Sequence, residues 1–196
     1  DAQVNVEQTV AQTAVSVENS LNAMKYRLSR VAVLAGKSSD AAQFGSAIAA
    51  LTDVENDIFA VTVYDESGGV VSRTGSGEMR KETVFRDLSF DKDLFAVAAP
   101  YAITKPHVQT GFAGVYPWVV TMAMKTDEPV LGNGMYVAID FRFSEIAGYM
   151  DGIGIGSHGY CFILNRDGSV VYHPQQQMLF SGIKSVDTEK LAAFSD

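Results

Sequence analysis

Apolar positions recur along residues 10–35 in alternating steps of four and three: Val10, Ala14, Val17, Leu21, Met24, Leu28, Val31 and Ala35. This is a heptad seam, uninterrupted by Gly or Pro before Gly36, and it predicts one long helix. The seam serves either the chain's own sheet and a second helix, or a contact between two copies of the chain. Small and medium residues on it permit both. "GKSSD", residues 36–40, then offers N-caps for a second, shorter helix over residues 41–52.

From Ile58 the period changes to that of strands. "IFAVTVYDESGGVVSR", residues 58–73, reads as an apolar strand, a turn carrying Asp and Gly, and a second strand. A polar stretch, 75–93, and short strand or loop pieces near 98–103 follow. "YPWVVTMAMK", 116–125, places Trp118, Val120, Met122 and Met124 on one face and Val119, Thr121 and Ala123 on the other. "GMYVAIDFRF", 134–143, places Met135, Val137, Ile139 and Phe141 opposite Tyr136, Ala138, Asp140 and Arg142. With "TDEPVLGN" as their connecting loop, these make an antiparallel pair. A short helix over 144–150 and a Gly-rich joint come next. The predicted fold is α+β, a five-stranded antiparallel sheet with the long helix laid beside it.

The sheet does not absorb "GYCFILNRDGSVVYHPQQQ", 159–177, which repeats the plan of the first hairpin around Asp167-Gly168. Its first strand is apolar at odd and even positions, so both faces need cover that two strands alone do not supply. The two hairpins stand roughly a hundred residues apart, a domain length. Two related units in tandem are expected, the second cut short.

Composition narrows the function. With 196 residues and 47% apolar side chains the chain has material for one or two cored domains. Fifteen basic residues against 23 acidic ones give a net charge of −8, with no basic block, which excludes nucleic acid as the expected partner. No apolar run reaches the roughly 20 residues of a membrane-spanning helix. Cys161 is the only cysteine and lies in an apolar strand, where a small buried hydrophobe is expected.

"GIGSHG", 154–159, carries the letters of a dinucleotide fingerprint, but a helix precedes it and a strand follows, the reverse of what phosphate binding needs. His107, His158 and His173 stand at no metal-ligand spacing, and one cysteine cannot complete a zinc site. No cofactor, metal or catalytic residue is expected. What remains is polar chemistry on strands. Asp140, between Ile139 and Phe141, either faces water or pairs with Arg142, or else serves a pocket that holds a cationic or hydroxyl group. Trp118 or Tyr101 would wall such a pocket, and Arg86 in "VFRDLSF" would fork a ligand carboxylate.

The order "FRDLSFDKDLF … APYAITKPH … TGFAGVYPWVVTMAMKT … GMYVAIDFRFSEIAGYM … GIGSHGYCFILNRDGSVVYHPQQQ" resembles the double Cache sensor domains of bacterial transmembrane receptors. The final motif is similar to the extracytoplasmic sensors of Gram-positive membrane histidine kinases. The resemblance implies a helical stalk over 1–54, a membrane-distal PAS-like sensing module over 55–150, and the beginning of a membrane-proximal module over 151–196. It places the chain outside the cytoplasmic membrane as a non-catalytic ligand-sensing domain, with a histidine kinase as the parent protein. A chemoreceptor, a cyclic-nucleotide enzyme or a module docking a solute-binding protein are its alternatives. It puts the ligand between the sheet and the segment 75–103, with Arg86, Tyr101, Trp118 and Asp140 as site residues. The aromatic pair that the amino-acid-binding subtype has after its arginine is missing from "RDLSFDKDLF". An amino acid, a small carboxylate and a saccharide therefore all stand as ligands, and a homodimer through the N-terminal helix is a further expectation.

Overall fold

The computed structural model describes residues 2–79, 100–104, 106–144, 163–164 and 170–172. Two helices open the chain, α1 (Ala2–Lys37) and α2 (Ala41–Thr52). The break between them is built locally. Asp40 leaves helical geometry at φ −157° and accepts the Gln43 N–H on Oδ1 at 2.8 Å, capping α2. That hydrogen bond holds the exposed Asp40 carboxyl below its ordinary pKa.

Among the described residues eight strands follow: β1 (Ile58–Asp65), β2 (Val70–Gly75), β3 (Ala102–Ile103), β4 (His107–Val108), β5 (Trp118–Val130), β6 (Gly134–Arg142), β7 (Ile163–Leu164) and β8 (Val170–Tyr172). The first six form one antiparallel sheet in the order β2-β1-β6-β5-β3, with β4 also paired to β5. The α+β architecture with a long helix and an antiparallel sheet is thus present, with one strand more than the pattern predicts. By compactness the chain divides into two units: Asn19–Glu145, and the segments Asp1–Glu18 and Ile146–Asp196 together. In the second of these, β7 and β8 pair antiparallel with Ile163 opposite Tyr172 and Leu164 opposite Val170. The rest of that hairpin, Cys161, His158, His173 and all but the first residue of the expected 144–150 helix lie outside the described residues.

The turn between β1 and β2 shows why the motif folds as it does. Asp65 Oδ1 accepts the Ser67 and Gly69 N–H groups at 2.8 Å each, and Gly68 supplies a φ of 86°. In contrast, "TDEPVLGN" is mostly strand. β5 runs on to Val130 and the turn tightens to Leu131–Asn133, with Leu131 at φ 52° and Gly132 at φ 98°. Pro129 is tolerated because the β5–β6 register shifts between Lys125 and Val130, so its missing N–H costs no ladder bond there.

The sheet separates two environments by simple alternation. On one side stand Val61, Val63, Val120, Met122, Val137, Ile139 and Phe141, all buried. α2 packs over this side on β1 and β2: a Cβ at Gly45 would stand 3.1 Å from Thr74 Oγ1, and Thr74 pairs with Val61. Met24, Leu28, Val31 and Ala35 of α1 are also buried. From Met24 to Ala35 the heptad seam therefore packs inside the chain's own core. Arg27 ties α1 to the chain beyond α2 through Glu55 at 2.7 Å and Asp57 at 2.5 Å.

Candidate functional site

The opposite side of the sheet is polar and nonetheless buried. β2 brings Arg73 opposite Thr62 of β1, and β6 brings Asp140 opposite Ala60 of β1 and Thr121 of β5. Arg73, Thr62, Tyr64 and Asp140 are each less than a tenth exposed. Buried groups of this kind require partners. The Arg73 guanidinium supplies them on one flank, donating from Nε to Thr62 Oγ1 at 2.9 Å and from Nη2 to the Tyr64 hydroxyl at 3.1 Å.

Asp140 organises the other flank. Gln109 Nε2 donates to Oδ2 and the Thr121 hydroxyl donates to Oδ1. Gln109 is fully buried, and its Oε1 accepts the Gly111 N–H at 2.9 Å. This fixes the amide's orientation and lays the 109–113 segment over the sheet face. Gly111 suits its position, because a Cβ there would stand 2.5 Å from Arg73 Nη1. Next to it, Phe112 meets Phe59 edge-on at 5.0 Å between centroids, and Ala60 and Val119 complete this apolar corner. The irregular β1–β6 register between Ile58 and Ala60 is what turns Phe59 to this side.

His107 continues the network outward. Its Nε2 lies 3.4 Å from Thr121 Oγ1 and its Nδ1 lies 3.3 Å from Thr104 Oγ1, which itself accepts the Thr121 N–H at 2.9 Å. With its proton committed to Asp140, Thr121 Oγ1 can only accept, which assigns the His107 ring proton to Nε2. Carboxylate, hydroxyl, imidazole and hydroxyl thus form one chain from the buried face to its edge.

The electrostatics are legible at Tyr64. Burial pushes its phenol up to about 12, the Asp140 charge adds to that, and the Arg73 charge and hydrogen bond oppose it. Below pH 10 the phenol is neutral in folded and unfolded chains alike. Between pH 10 and about 12 only the unfolded chain ionises it, so its contribution to stability is present below pH 10 and lost as pH rises through about 12. Stability should therefore fall by about 1.4 kcal/mol per pH unit in that window from this group alone. Urea midpoints from pH 9 to 11.5 should show a shallower decline in Tyr64→Phe. Parallel curves for the two proteins would remove the assignment.

The four residues singled out from sequence do not converge. Asp140 lies at the centre of the polar face. It neither meets water nor pairs with Arg142, whose Nε donates to the Asn56 carbonyl at 2.9 Å and whose guanidinium stacks over Phe59 at 4.9 Å. Trp118 sits opposite Val108 and shares the side of β5 taken by Val120 and Met122, away from Asp140. Tyr101 turns to α1: its hydroxyl is 3.4 Å from Ser29 Oγ, and Lys25 lies 5.7 Å over its ring. Arg86 lies outside the described residues. Sequence reasoning missed Arg73, Thr62, Tyr64, Gln109 and Thr121. The signal for two of them was the alternation Ala60, Thr62, Tyr64 in β1, of the same parity as the face bearing Asp140 in β6.

No protein-family model matches the chain, and no curated protein matches it. Solved structures do. The ligand-binding domain of the Pseudomonas fluorescens chemoreceptor CtaA in complex with L-leucine is 17% identical, with a TM-score of 0.67 over 90% of this chain and 72% of that one. The ligand-binding domain of the Pseudomonas aeruginosa PAO1 amino acid chemoreceptor PctC, in complex with GABA, is 18% identical, with a TM-score of 0.66 over 90% and 76%. Methyl-accepting chemotaxis protein X is 14% identical, with a TM-score of 0.70 over 96% and 80%. At these identities the likeness is one of fold alone, the fold that these chemoreceptor ligand-binding domains share. Among the described residues no helix is long and apolar enough to cross a membrane.

Proposed function

We propose that the chain is the extracytoplasmic ligand-sensing region of a transmembrane receptor, non-catalytic itself, with its ligand held on the polar sheet face. The observation that carries this reading is the buried Asp140 carboxylate, set by Gln109 and Thr121 in a face that also holds the Arg73 cation. A carboxylate has about four lone-pair positions, and the bonds from Gln109 and Thr121 use two of them. The remainder suit an ammonium or a hydroxyl. Opposite charges on one small face favour a zwitterion such as an amino acid, with small carboxylates and saccharides as the competing classes. Arg86 is kept as the proposed fork for a ligand carboxylate. Tyr101, turned to α1, and Trp118, on the helix side of β5, are left out of this proposed site. The boundaries proposed are a stalk over 1–54, a sensing module over 55–150 and the start of a second module from 151.

Signalling follows from differential affinity. A ligand that favours one arrangement of the sensing module shifts the population, and α1 carries that bias along the chain. The receptor's output is a histidine kinase on the strength of the "GYCFILNRDGSVVYHPQQQ" motif. A chemoreceptor output is the second reading, favoured by the fold neighbours. A cyclic-nucleotide enzyme and the docking of a solute-binding protein are weaker alternatives that no single observation favours.

A thermal-shift screen of amino acids, small carboxylates and saccharides tests the reading. At a hundredfold excess over its Kd a ligand adds about 2.7 kcal/mol of stability. The expected result is a hit in one of these classes whose shift disappears in Asp140→Ala. A hit unchanged by that substitution would move the site elsewhere, and a blank screen on folded protein would favour partner docking.

A further inference from the structure

On the helix side of the same unit, α1 and α2 do not close on one another. Val31 and Leu34 of α1 and Ala47, Ala50 and Leu51 of α2 line a trough of about 550 Å³. That volume lies in the range of small-molecule sites. The two alanines explain the gap, since they stand where larger side chains would fill the space between the helices.

The charge along the trough is opposite to that of the chain. Residues 19–37 contain Lys25, Arg27, Arg30 and Lys37 and no acidic residue, in a protein of net charge −8. Three of these cations, Arg27, Arg30 and Lys37, border the trough, and among the described residues Glu55 is the one acidic residue that lines it. Arg27 is occupied by Glu55 and Asp57. Among the described residues no ion pair engages Arg30 or Lys37, and both side chains are exposed. Lys37 in the last turn has a structural reason of its own, the negative end of the helix dipole. Arg30 lies two turns earlier, with its guanidinium 5.8 Å over the Tyr26 ring, a contact that leaves its charge without an acidic partner among the described residues. The two stand about 10 Å apart along the helix axis, with Leu34 between them.

We propose that this trough binds an amphipathic anion, an alkyl carboxylate of medium chain length, with its chain along Val31, Leu34, Ala47 and Leu51 and its head between Arg30 and Lys37. A purely polar anion would leave the apolar walls in water, and a neutral apolar molecule would gain nothing from the two exposed cations. The site lies on the opposite side of the sheet from Asp140 and does not depend on the ligand reading made for that face.

The test uses decanoate below its micellar concentration, titrated calorimetrically into the intact chain, with octanoate and dodecanoate as a length series. Affinity should rise by up to about fourfold per added methylene while the chain still finds wall to cover. The double substitution Arg30→Gln, Lys37→Gln should weaken decanoate at least tenfold and leave decanol binding unchanged. Ala50→Trp, at an exposed helix position, should block both, and Asp140→Ala should affect neither. Equal decanoate binding in all variants, or no chain-length dependence, would overturn the proposal. So would sedimentation showing that these substitutions abolish self-association of a chain that takes up no decanoate, which would make the trough a contact between copies. Capture by phosphatidylglycerol vesicles without decanoate binding would overturn it in favour of a lipid surface.

Discussion

Phe44→Ala is expected to cost about 3–5 kcal/mol of unfolding free energy, the range for removing a fully enclosed aromatic ring. Phe44 has no exposed surface and lies on the buried stripe of α2 with Ile48 and Thr52. Gly45 beside it holds α2 too close to Thr74 for easy collapse into the space left, because a Cβ at that glycine would already be 3.1 Å from Thr74 Oγ1. The lost transfer energy and the residual cavity therefore add. Urea denaturation should show a lower midpoint with an unchanged slope. A loss under 1 kcal/mol would mean that α2 contributes little to the fold. The exposed Ala42→Ser on the same helix should fall within about 0.5 kcal/mol of wild type.

Gln109→Ala is expected to cost about 2–4 kcal/mol, although no apolar core residue is touched. It strips Asp140 of its amide donor and leaves the Gly111 N–H without the Oε1 that accepts it. A buried carboxylate that loses a donor bears its desolvation cost unrelieved. A double-mutant cycle gives the sharper measurement. In an Asp140→Ala background the same substitution should cost at least 1 kcal/mol less, because the acceptor is already gone. Additive losses would show that Gln109 acts through loop packing and not through the carboxylate.

Much of this architecture was legible because it is written in short-range pattern. The heptad seam marked α1, Asp40 and its neighbours marked the start of α2, and Asp65 with the following glycines marked the first hairpin. Alternation separated the two sides of β5 and β6 correctly. What could not be read depends on pairing across long separations. Asp140 meets Ala60 eighty residues away, and only that register reveals that Thr62, Tyr64 and Arg73 share its side of the sheet. Gln109 escaped notice for a related reason. It belongs to no long strand, and an amide in a loop gains meaning only once a buried carboxylate is found above the sheet. β4 is two residues long and carries no periodicity at all. Pro129 suggested a loop where a register irregularity lets the strand continue.

The parity of the sheet bears on how such a protein could be given a new target. Thr62, Arg73, Thr121 and Asp140 alternate in their strands with Val61, Ser72, Met122 and Ile139, so neighbours in sequence answer to different demands. A combinatorial library confined to the first four positions rewrites one side of the sheet and leaves the side chains beneath the helices as they were. Because Thr62, Arg73 and Asp140 are buried and hydrogen-bonded, such a library has to be selected for folding and recognition together, while the apolar side stays constant.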